Sequence, residues 1–272
     1  SEHKPVAALS IDMDNQWSYM KTHGDPGWES YPSYFDVLVP YLLDVLEGLE
    51  LSITFFLVGR DVQREENQHY VRMIGERGHE PGNHSYYHEP WLHLLSRDRI
   101  REELETTHSL IRDVFGVAPL GFRGPGFSWS RELLEVLLAL GYRYDASTLP
   151  TFIGPLARLY YFWTAELDRE EKRQRKRLFG TVADGFRSVR PYTWKLSGGE
   201  ELLELPVTTI PVLRTPFHLS YLLYLSRYSP VLMQRYLQVA VSLCKVTHTP
   251  ISFLLHPLDL LGELPRVLEI QG

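Results

Sequence analysis

Short apolar runs alternate with amphipathic stretches along the first half of the chain. Residues 6–11 and 52–58 are apolar or β-branched runs of the kind that form buried strands. Between them, apolar residues in 37–49 recur at helical spacing, with Pro40 tolerated if it lies in the first helical turn. This alternation predicts strand–helix units, and therefore a parallel sheet with right-handed crossovers.

The same alternation continues to residue 145. Helices are predicted over 67–77, 98–115 and 131–140. Each is followed by a glycine that can end it, and Ser130 caps the third. Strands are predicted over 79–83, 120–122 and 142–145. The first half of the chain is therefore expected to be an α/β structure whose sheet is either open or closed into a barrel.

The alternation breaks at about residue 151. An aromatic run at 159–163 precedes a basic run at 172–177, and neither fits the earlier pattern. A strand is then predicted over 202–207, and a helix begins at Ser229-Pro230 and ends at Val246. A last buried strand covers 251–255, so regular elements return towards the end of the chain.

Composition narrows the class of protein and of partner. The chain has 272 residues, 44% of them hydrophobic, which is enough for a sizeable core and within the range of one α/β barrel. Its net charge of -6 disfavours nucleic acid as the main partner, because phosphate binding needs a basic face. Cys244 is the only cysteine, so no internal disulfide forms. No apolar run could span a bilayer and no leader precedes the first strand, so we expect a cytoplasmic protein or one whose leader has been removed.

Two aspartates follow the first predicted strand. Asp12 and Asp14 lie just past its carboxyl end, where parallel α/β folds build their sites, and strand alternation directs both side chains to the same side. Carboxylates this close repel unless a cation lies between them or they have different roles. In isolation a surface Asp-x-Asp loop is the favoured interpretation, and the metal–diphosphate site of a nucleotide-sugar glycosyltransferase is another.

A histidine pair offers the other part of a metal site. His84 and His88 are four residues apart, between Gly82 and Pro90, which favour a loop that brings both imidazoles together. Two histidines and one carboxylate, with a position left for water, are typical of catalytic zinc. Six further histidines are interpreted as surface or packing residues: His69, His79, His93, His108, His218 and His248.

Three more polar residues come at the ends of predicted strands. Arg123 precedes the glycine-rich segment 124–127, and it could orient an anionic base or form a structural salt bridge. Asp145, at the end of the next strand, could likewise have a functional or a structural role. His256 ends the last strand; alone it fits a core position, and beside the other groups it becomes a candidate general acid.

Taken together, these motifs resemble the polysaccharide deacetylases of the NodB-homology type. The resemblance is most specific in the middle motif, because glycine, histidine and asparagine stand at the expected places around the histidine pair. It covers residues 7–145 well, and 251–258 as an isolated last motif. In chain order the motifs are Ser-Ile-Asp-Met-Asp (10–14), Thr-Phe-Phe-Leu-Val-Gly (54–59), Gly-His-Glu-Pro-Gly-Asn-His-Ser-Tyr-Tyr-His (78–88), Phe-Arg-Gly-Pro-Gly-Phe-Ser (122–128) and Leu-Leu-His-Pro (254–257).

The resemblance implies a fold and a reaction. The fold is an irregular (β/α) TIM-like barrel of seven strands. The reaction is metal-dependent removal of an N-acyl group, usually N-acetyl, from an aminosugar. Asp14, His84 and His88 would hold the divalent metal, most often Zn²⁺, with Co²⁺, Ni²⁺ or Fe²⁺ as alternatives.

The resemblance also implies roles around the metal. Asp12 would be the base, His256 the acid and Arg123 the residue that orients Asp12. The backbone N–H near Gly126 would help to bind the oxyanion. Asp145 would lie near Arg123 or His256 and tune it.

The chain departs from the family pattern at three places. Met13 separates two aspartates that are adjacent in the commoner motif, which resembles a branch acting on small, lipid-linked or peptidoglycan-like substrates. Gly126 stands where an aromatic residue commonly follows the proline. About 110 residues separate Asp145 from His256, more than the family core needs. We therefore expect one domain over 1–272 with an insertion at about 151–250.

Several functions and partners stay open on these residues. The same metal site would serve a deformylase or a cyclic-amide hydrolase, and a non-catalytic carbohydrate-binding relative would be expected to lack the base or the acid. The expected substrate is an N-acylated aminosugar in a polysaccharide, an oligosaccharide or a lipid-linked glycan, such as those of the cell envelope. Residues 159–177 could contact an anionic membrane, although a solvated charged loop is the favoured interpretation.

Overall fold

The structure describes two stretches of the chain. The computed structural model covers residues 6–152 and 182–261. The aromatic and basic runs within 159–177 lie outside the described residues, so their contact with a membrane stays a prediction. Within the described part, no helix is both long and apolar enough to cross a membrane.

One mixed sheet runs through the described residues. Its order is β6-β7-β5-β4-β3-β2-β1-β8, and it curls into a half-barrel. Among these strands only the β6–β7 pair is antiparallel, which leaves seven parallel strands. The predicted barrel-like α/β fold is confirmed, with an added antiparallel edge strand that the hydrophobic pattern did not predict. The strands are β1 (Ala7–Met13), β2 (Thr54–Leu57), β3 (Glu80–Asn83), β4 (Gly121–Phe122), β5 (Tyr144–Asp145), β6 (Tyr192–Lys195), β7 (Glu201–Glu204) and β8 (Ile251–Leu255).

The backbone after β7 crosses to β8 at the opposite edge of the sheet. The amide of Thr208 donates to the carbonyl of Ser252 at 3.0 Å, and the Ser252 amide donates to Thr208 Oγ1 at 2.7 Å. The strand predicted over 202–207 ends at Glu204. Backbone hydrogen bonds continue beyond Glu204, since the Leu205 amide donates to the Asp145 carbonyl at 2.8 Å and the Val207 amide to the Thr148 carbonyl at 2.9 Å.

Helices fill the connections between strands. The predicted caps are confirmed, since Ser130 Oγ accepts from the Leu133 amide and Ser229 Oγ from the Leu232 amide, each at 3.2 Å. The helices are α1 (Gln16–His23), α2 (Phe35–Gly48), α3 (Gly59–Gln63), α4 (Gln68–Glu76), α5 (Arg97–Phe115), α6 (Arg131–Ala139), α7 (Leu219–Ser226), α8 (Pro230–Val246) and α9 (Pro257–Leu261).

Helix α2 packs the largest core cluster against β1 and β2. Burying each large apolar side chain there contributes roughly 1.5–3 kcal/mol. The helix begins two residues before the predicted start, so Pro40 lies in its second turn. The carbonyl that loses its partner there belongs to Asp36, which is exposed to water. Core residues shared by the helix and the two strands include Leu38, Leu42, Ile11 and Phe55.

The carboxyl ends of the central strands meet at one edge of the sheet. β1 pairs with β2 as far as Met13 and Leu57, and β3 pairs with β4 through Asn83 and Phe122. β8 pairs with β1 as far as Leu255. The residues that follow these strands therefore lie side by side, and they are Asp14, His84, Arg123 and His256.

Candidate metal centre

Three buried side chains converge at this edge of the sheet. Asp14 Oδ1 lies 3.2 Å from His84 Nε2 and 3.0 Å from His88 Nε2. One ligand atom from each residue lies within 4.8 Å of the other two. All three side chains are buried. The sequence motif and the fold thus bring one carboxylate and two imidazoles to a single point.

The protonation pattern of the three residues suits a cation. His84 Nδ1 lies 2.6 Å from the Arg123 carbonyl, which can only accept a hydrogen bond, so Nδ1 carries the proton and Nε2 presents a lone pair. Asp14 Oδ1 is buried without a hydrogen-bond donor. Burial raises the pKa of the Asp14 carboxyl, but the neighbouring His88 and His84 hold it well below its usual range. A carboxylate with two such imidazoles is a donor set of catalytic zinc, so the residues fit a divalent metal.

The loop that carries both histidines is held from several sides. Ser85 and His88 adopt left-handed backbone conformations, with φ of 61° and 52°. Asn83 Oδ1 accepts from the Ser85 amide at 2.8 Å. Glu103 Oε2, on α5, accepts from the amides of Tyr86 and Tyr87 at 3.0 and 2.9 Å. The predicted loop is thus a fixed turn, and its conformational cost is offset by these contacts.

Glu103 was not singled out by sequence reasoning, although a signal existed. It falls among Ile100, Leu104, Thr107 and Ile111 on the buried face of α5. A buried carboxylate on the apolar face of a helix needs a hydrogen-bond partner. Here the partners are two backbone amides in the loop between His84 and His88. A charged residue at such a position indicates a tertiary contact even when its partner is unknown.

Asp12 lies beside the metal ligands without joining them. β1 extends to Met13, so Asp12 lies within the strand rather than after it as predicted. Arg123 Nη1 contacts Asp12 Oδ1 at 2.7 Å and donates to Ser10 Oγ at 2.9 Å. The other carboxylate oxygen, Oδ2, lies 3.9 Å from His84 Nε2. Arg123 thus holds one oxygen of Asp12 and leaves the second facing the metal ligands.

His256 approaches the same oxygen of Asp12. Its Nε2 lies 4.0 Å from Asp12 Oδ2. Its Nδ1 lies 3.2 Å from Ser220 Oγ and 3.7 Å from Asp259 Oδ2. Burial lowers the pKa of His256, but the contact with Asp259 and the charge of Asp12 outweigh it, so the net pKa is raised. A raised pKa keeps a larger share of this imidazole protonated near neutral pH.

Part of the sequence matches a model of a known protein family. Residues 25–144 match the family model described as polysaccharide deacetylase. This segment of the chain is similar to the polysaccharide deacetylase family. The matched segment contains His84, His88 and Arg123. The aspartates of β1 and the histidine after β8 lie outside it, and the fold brings them to the same edge.

Three curated deacetylases are similar in sequence to part of the chain. A peptidoglycan deacetylase from Helicobacter pylori is 32% identical over 157 residues, which are 55% of this chain and 52% of the relative. A peptidoglycan-N-acetylglucosamine deacetylase from Bacillus cereus is 34% identical over 86 residues, 32% of this chain and 30% of the relative. A chitin deacetylase from Colletotrichum lindemuthianum is 30% identical over 115 residues, 41% of this chain and 46% of the relative. The chain therefore spans about half, or less, of the length of these three relatives.

A solved structure shares the fold over a longer range. The crystal structure of a candidate polysaccharide deacetylase from Mycobacterium smegmatis has a TM-score of 0.60 and 20% identity. The alignment covers 100% of this chain and 83% of that chain. This likeness shows that the two chains share a fold, and its low identity carries no statement about activity or substrate.

Asp145 contacts a second carboxylate, and its expected tuning of Arg123 or His256 stays a prediction. In the described part of the chain no ion pair joins it to Arg123 or His256; instead it is buried against Glu204 and accepts from Ser147 Oγ. Burial and the charge of Glu204 raise the pKa of Asp145 well above its usual range. The two carboxyl groups are therefore not both ionised, because like charges this close repel.

Ser147 links Asp145 to the turn after β4. Ser147 Oγ also accepts from the Gly124 amide at 2.8 Å, which ties Asp145 to the start of that turn. Within the turn Gly126 has a φ of 59°, and a Cβ there would lie 3.0 Å from Pro90. Glycine thus fits where the family commonly has an aromatic residue. The oxyanion role of the Gly126 region stays a prediction.

His218 was interpreted as a surface or packing residue, and the structure places it beside the candidate acid. Its ring centroid lies 6.2 Å from that of His256, at an interplanar angle of 73°. Burial and the adjacent His256 lower the pKa of His218 to about 4, so it is a neutral imidazole at neutral pH. It immediately precedes α7, within the range predicted as an insertion. That part of the chain therefore contributes side chains to this edge of the sheet.

Proposed function

We propose that this chain is a metal-dependent hydrolase that removes an N-acetyl group from an aminosugar in a polysaccharide. The observation that carries the proposal is the order of side chains across the site. Asp14, His84 and His88 form the metal set, and Asp12 Oδ2 lies 3.9 Å from His84 Nε2 of that set and 4.0 Å from His256 Nε2. The names of the relatives from Helicobacter, Bacillus and Colletotrichum support the same reaction class.

We further propose Zn²⁺ as the metal, held by Asp14, His84 and His88. The donor set of this site, one carboxylate and two imidazoles, favours zinc. Co²⁺, Ni²⁺ and Fe²⁺ have similar ligand preferences and are the alternatives. A metal bound there would lower the pKa of water and polarise the acyl oxygen. The remaining steps depend on residues of the chain itself.

Two residues move protons in this proposal. Asp12 accepts the proton of the attacking water on the oxygen that Arg123 leaves free. His256, whose Nε2 lies 4.0 Å from Asp12 Oδ2, donates a proton to the nitrogen that leaves, since an amide anion is a poor leaving group. Arg123 keeps Asp12 oriented, and it is itself fixed by the Ala146 carbonyl at 3.0 Å and by the Phe56 ring at 4.3 Å.

A nucleotide-sugar glycosyltransferase fits the site less well. That interpretation uses Asp12 and Asp14 to hold a metal–diphosphate. It gives no role to His84 and His88, which here lie within contact distance of Asp14. It also gives no role to His256, whose pKa is raised. The hydrolase uses all of these groups.

Acyl release from defined glycans tests the proposed reaction. The chain, loaded with zinc and then treated with a chelator, is assayed on N-acetylglucosamine oligomers, N-acetylated peptidoglycan fragments, an N-formyl aminosugar and a cyclic amide. We expect acetate release from an N-acetylated glycan, its loss on chelation and its recovery when zinc returns. Turnover of the formyl or cyclic substrate alone would replace the proposed function with a deformylase or a cyclic-amide hydrolase. No turnover of any substrate by the zinc-loaded chain would reject hydrolysis of these classes.

Replacing Asp259 with asparagine is expected to move the alkaline limb of the activity profile to lower pH. Contact with Asp259 raises the pKa of His256, and a proton donor is active only below its own pKa. The variant therefore loses its acid at a lower pH than the wild type, while activity below that limb changes less. The profile of kcat against pH measures this. Asp36→Asn, which removes an exposed carboxylate on α2, is the control; an alkaline limb that stays in place in Asp259→Asn would contradict the role of His256 as acid.

A further inference from the structure

Tyr19 contacts the candidate metal ligand Asp14 at Oδ2, whereas the two histidines lie against Oδ1. Its hydroxyl donates to Asp14 Oδ2 at 2.9 Å, and its ring centroid lies 6.4 Å from that of His88. Among the described residues, the phenol is the only hydrogen-bond donor to that oxygen. No sequence motif singles out Tyr19, because its contact with Asp14 depends on how α1 packs against the end of β1.

The start of α1 explains how Tyr19 reaches Asp14. Asn15 caps the helix, and its Oδ1 accepts from the Gln16 amide at 3.0 Å. Tyr19 is four residues after this cap, so one helical turn brings its side chain back over the start of the helix. Helix α1 thus begins directly after Asp14 and folds Tyr19 onto it.

A second tyrosine fixes the backbone of the same residue. Tyr34, which precedes α2, donates its hydroxyl to the Asp14 carbonyl. Tyr34 is buried, and Asn15 next to it in space is held by Ser33 Oγ at 2.8 Å and Asp61 Oδ1 at 3.2 Å. The main chain of Asp14 is therefore held independently of its carboxylate. What Tyr19 adds is control of the carboxylate rotation.

The two oxygens of Asp14 have different surroundings. Oδ1 faces His84 and His88 at 3.2 and 3.0 Å and accepts no hydrogen bond. Oδ2 accepts from Tyr19. A phenol stays protonated at neutral pH and remains a donor. A carboxylate whose second oxygen is engaged in this way binds a metal through one oxygen only.

We infer that Tyr19 is a positioning residue that makes Asp14 a one-oxygen metal ligand. This inference rests on the proposed metal site and adds a determinant of metal choice to it. One oxygen and two imidazoles leave a low coordination number, which suits Zn²⁺ and Co²⁺ in tetrahedral sites. Mg²⁺ requires near-octahedral oxygen coordination and is disfavoured. Without the phenol, Oδ2 becomes free to rotate towards the metal and raise the coordination number.

Metal binding to Tyr19→Phe tests the inference without an activity assay. The metal-free wild type and variant are titrated with Zn²⁺ in competition with a chromophoric chelator. We expect the variant to bind zinc roughly 10–100-fold more weakly, the effect typical of a lost hydrogen bond behind a ligand. With Co²⁺ we expect the intense visible absorption of a tetrahedral site in the wild type, and a weaker, shifted spectrum in the variant.

A matched variant and a folding measurement separate the outcomes. Tyr236→Phe removes a hydroxyl that donates to the Pro216 carbonyl at 2.6 Å, away from the metal ligands, and should bind zinc as the wild type does. Circular dichroism melting of the metal-free proteins shows whether Tyr19→Phe is folded; phenylalanine keeps the ring that packs near His88. Equal zinc affinity and equal cobalt spectra in Tyr19→Phe and wild type would overturn the inference alone. A folded wild type that binds neither metal would overturn the proposed metal site, and the inference with it.

Discussion

Asp12→Asn is expected to abolish hydrolysis while the metal stays bound. General-base catalysis contributes roughly 10²–10⁴-fold to a rate, so kcat should fall by about that factor. The zinc content should stay at that of the wild type, because the ligand set is Asp14, His84 and His88 and does not include Asp12. Acetate release and metal analysis on the same preparation measure both effects.

The geometry around Asp12 explains why the substitution is so specific. Arg123 Nη1 contacts Oδ1 at 2.7 Å, and an asparagine at this position turns its carbonyl oxygen towards that guanidinium. The amide nitrogen then occupies the place of Oδ2, which faces His84 and His256 at 3.9 and 4.0 Å. An amide NH₂ cannot accept a proton, so the base is lost with almost no change in shape.

The outcome of this experiment distinguishes two roles for Asp12. Loss of activity with full metal content supports a base. Loss of zinc together with activity would make Asp12 a ligand instead. Asp36→Asn again serves as the control, since Asp36 lies exposed on α2 and should keep both activity and metal.

His84→Ala is expected to release the metal itself. The variant loses one of three ligands, and even substitutions behind a ligand cost 10–100-fold in affinity, so we expect zinc affinity to fall by more than about 100-fold. His84 also donates its Nδ1–H to the Arg123 carbonyl at 2.6 Å, and that carbonyl would lose its partner. Zinc per chain after dialysis, and recovery of activity at high zinc concentration, measure the effect.

A distant histidine provides the matched control for this variant. His69→Ala removes an exposed imidazole on α4 and should retain zinc and activity. If His84→Ala holds zinc as tightly as the wild type, the metal site is assigned to the wrong residues. If both His84→Ala and Asp12→Asn keep wild-type activity on a good substrate, the proposed mechanism is wrong as a whole.

Local sequence patterns predicted the frame of this site. The apolar runs of β1 and β8 located the strand ends at which Asp14 and His256 emerge. Gly82 and Pro90 predicted a loop for the histidine pair, and serine caps predicted the starts of two helices. These patterns work because strand alternation, helix capping and turn preferences are properties of a few neighbouring residues.

Local patterns failed where a distant segment decides the outcome. The antiparallel β6 and the end of β7 at Glu204 depend on pairing with other strands. Asp145 stood at a predicted strand end, yet it pairs with Glu204 from β7 rather than with Arg123. Nothing near residue 145 in the sequence indicates that a second carboxylate will lie against it.

The sequence by itself determined which residue types are available and at which strand ends they stand, which was enough for a metal, a base and an acid. Only the tertiary structure decided their mutual orientation: which oxygen of Asp14 faces the histidines, which oxygen of Asp12 Arg123 holds, and that Asp259 and His218 flank the acid. The physical reason is distance along the chain. Asp12 and His256 are joined by strand pairing between β1 and β8, and such contacts are set by packing across the whole sheet rather than by neighbouring residues.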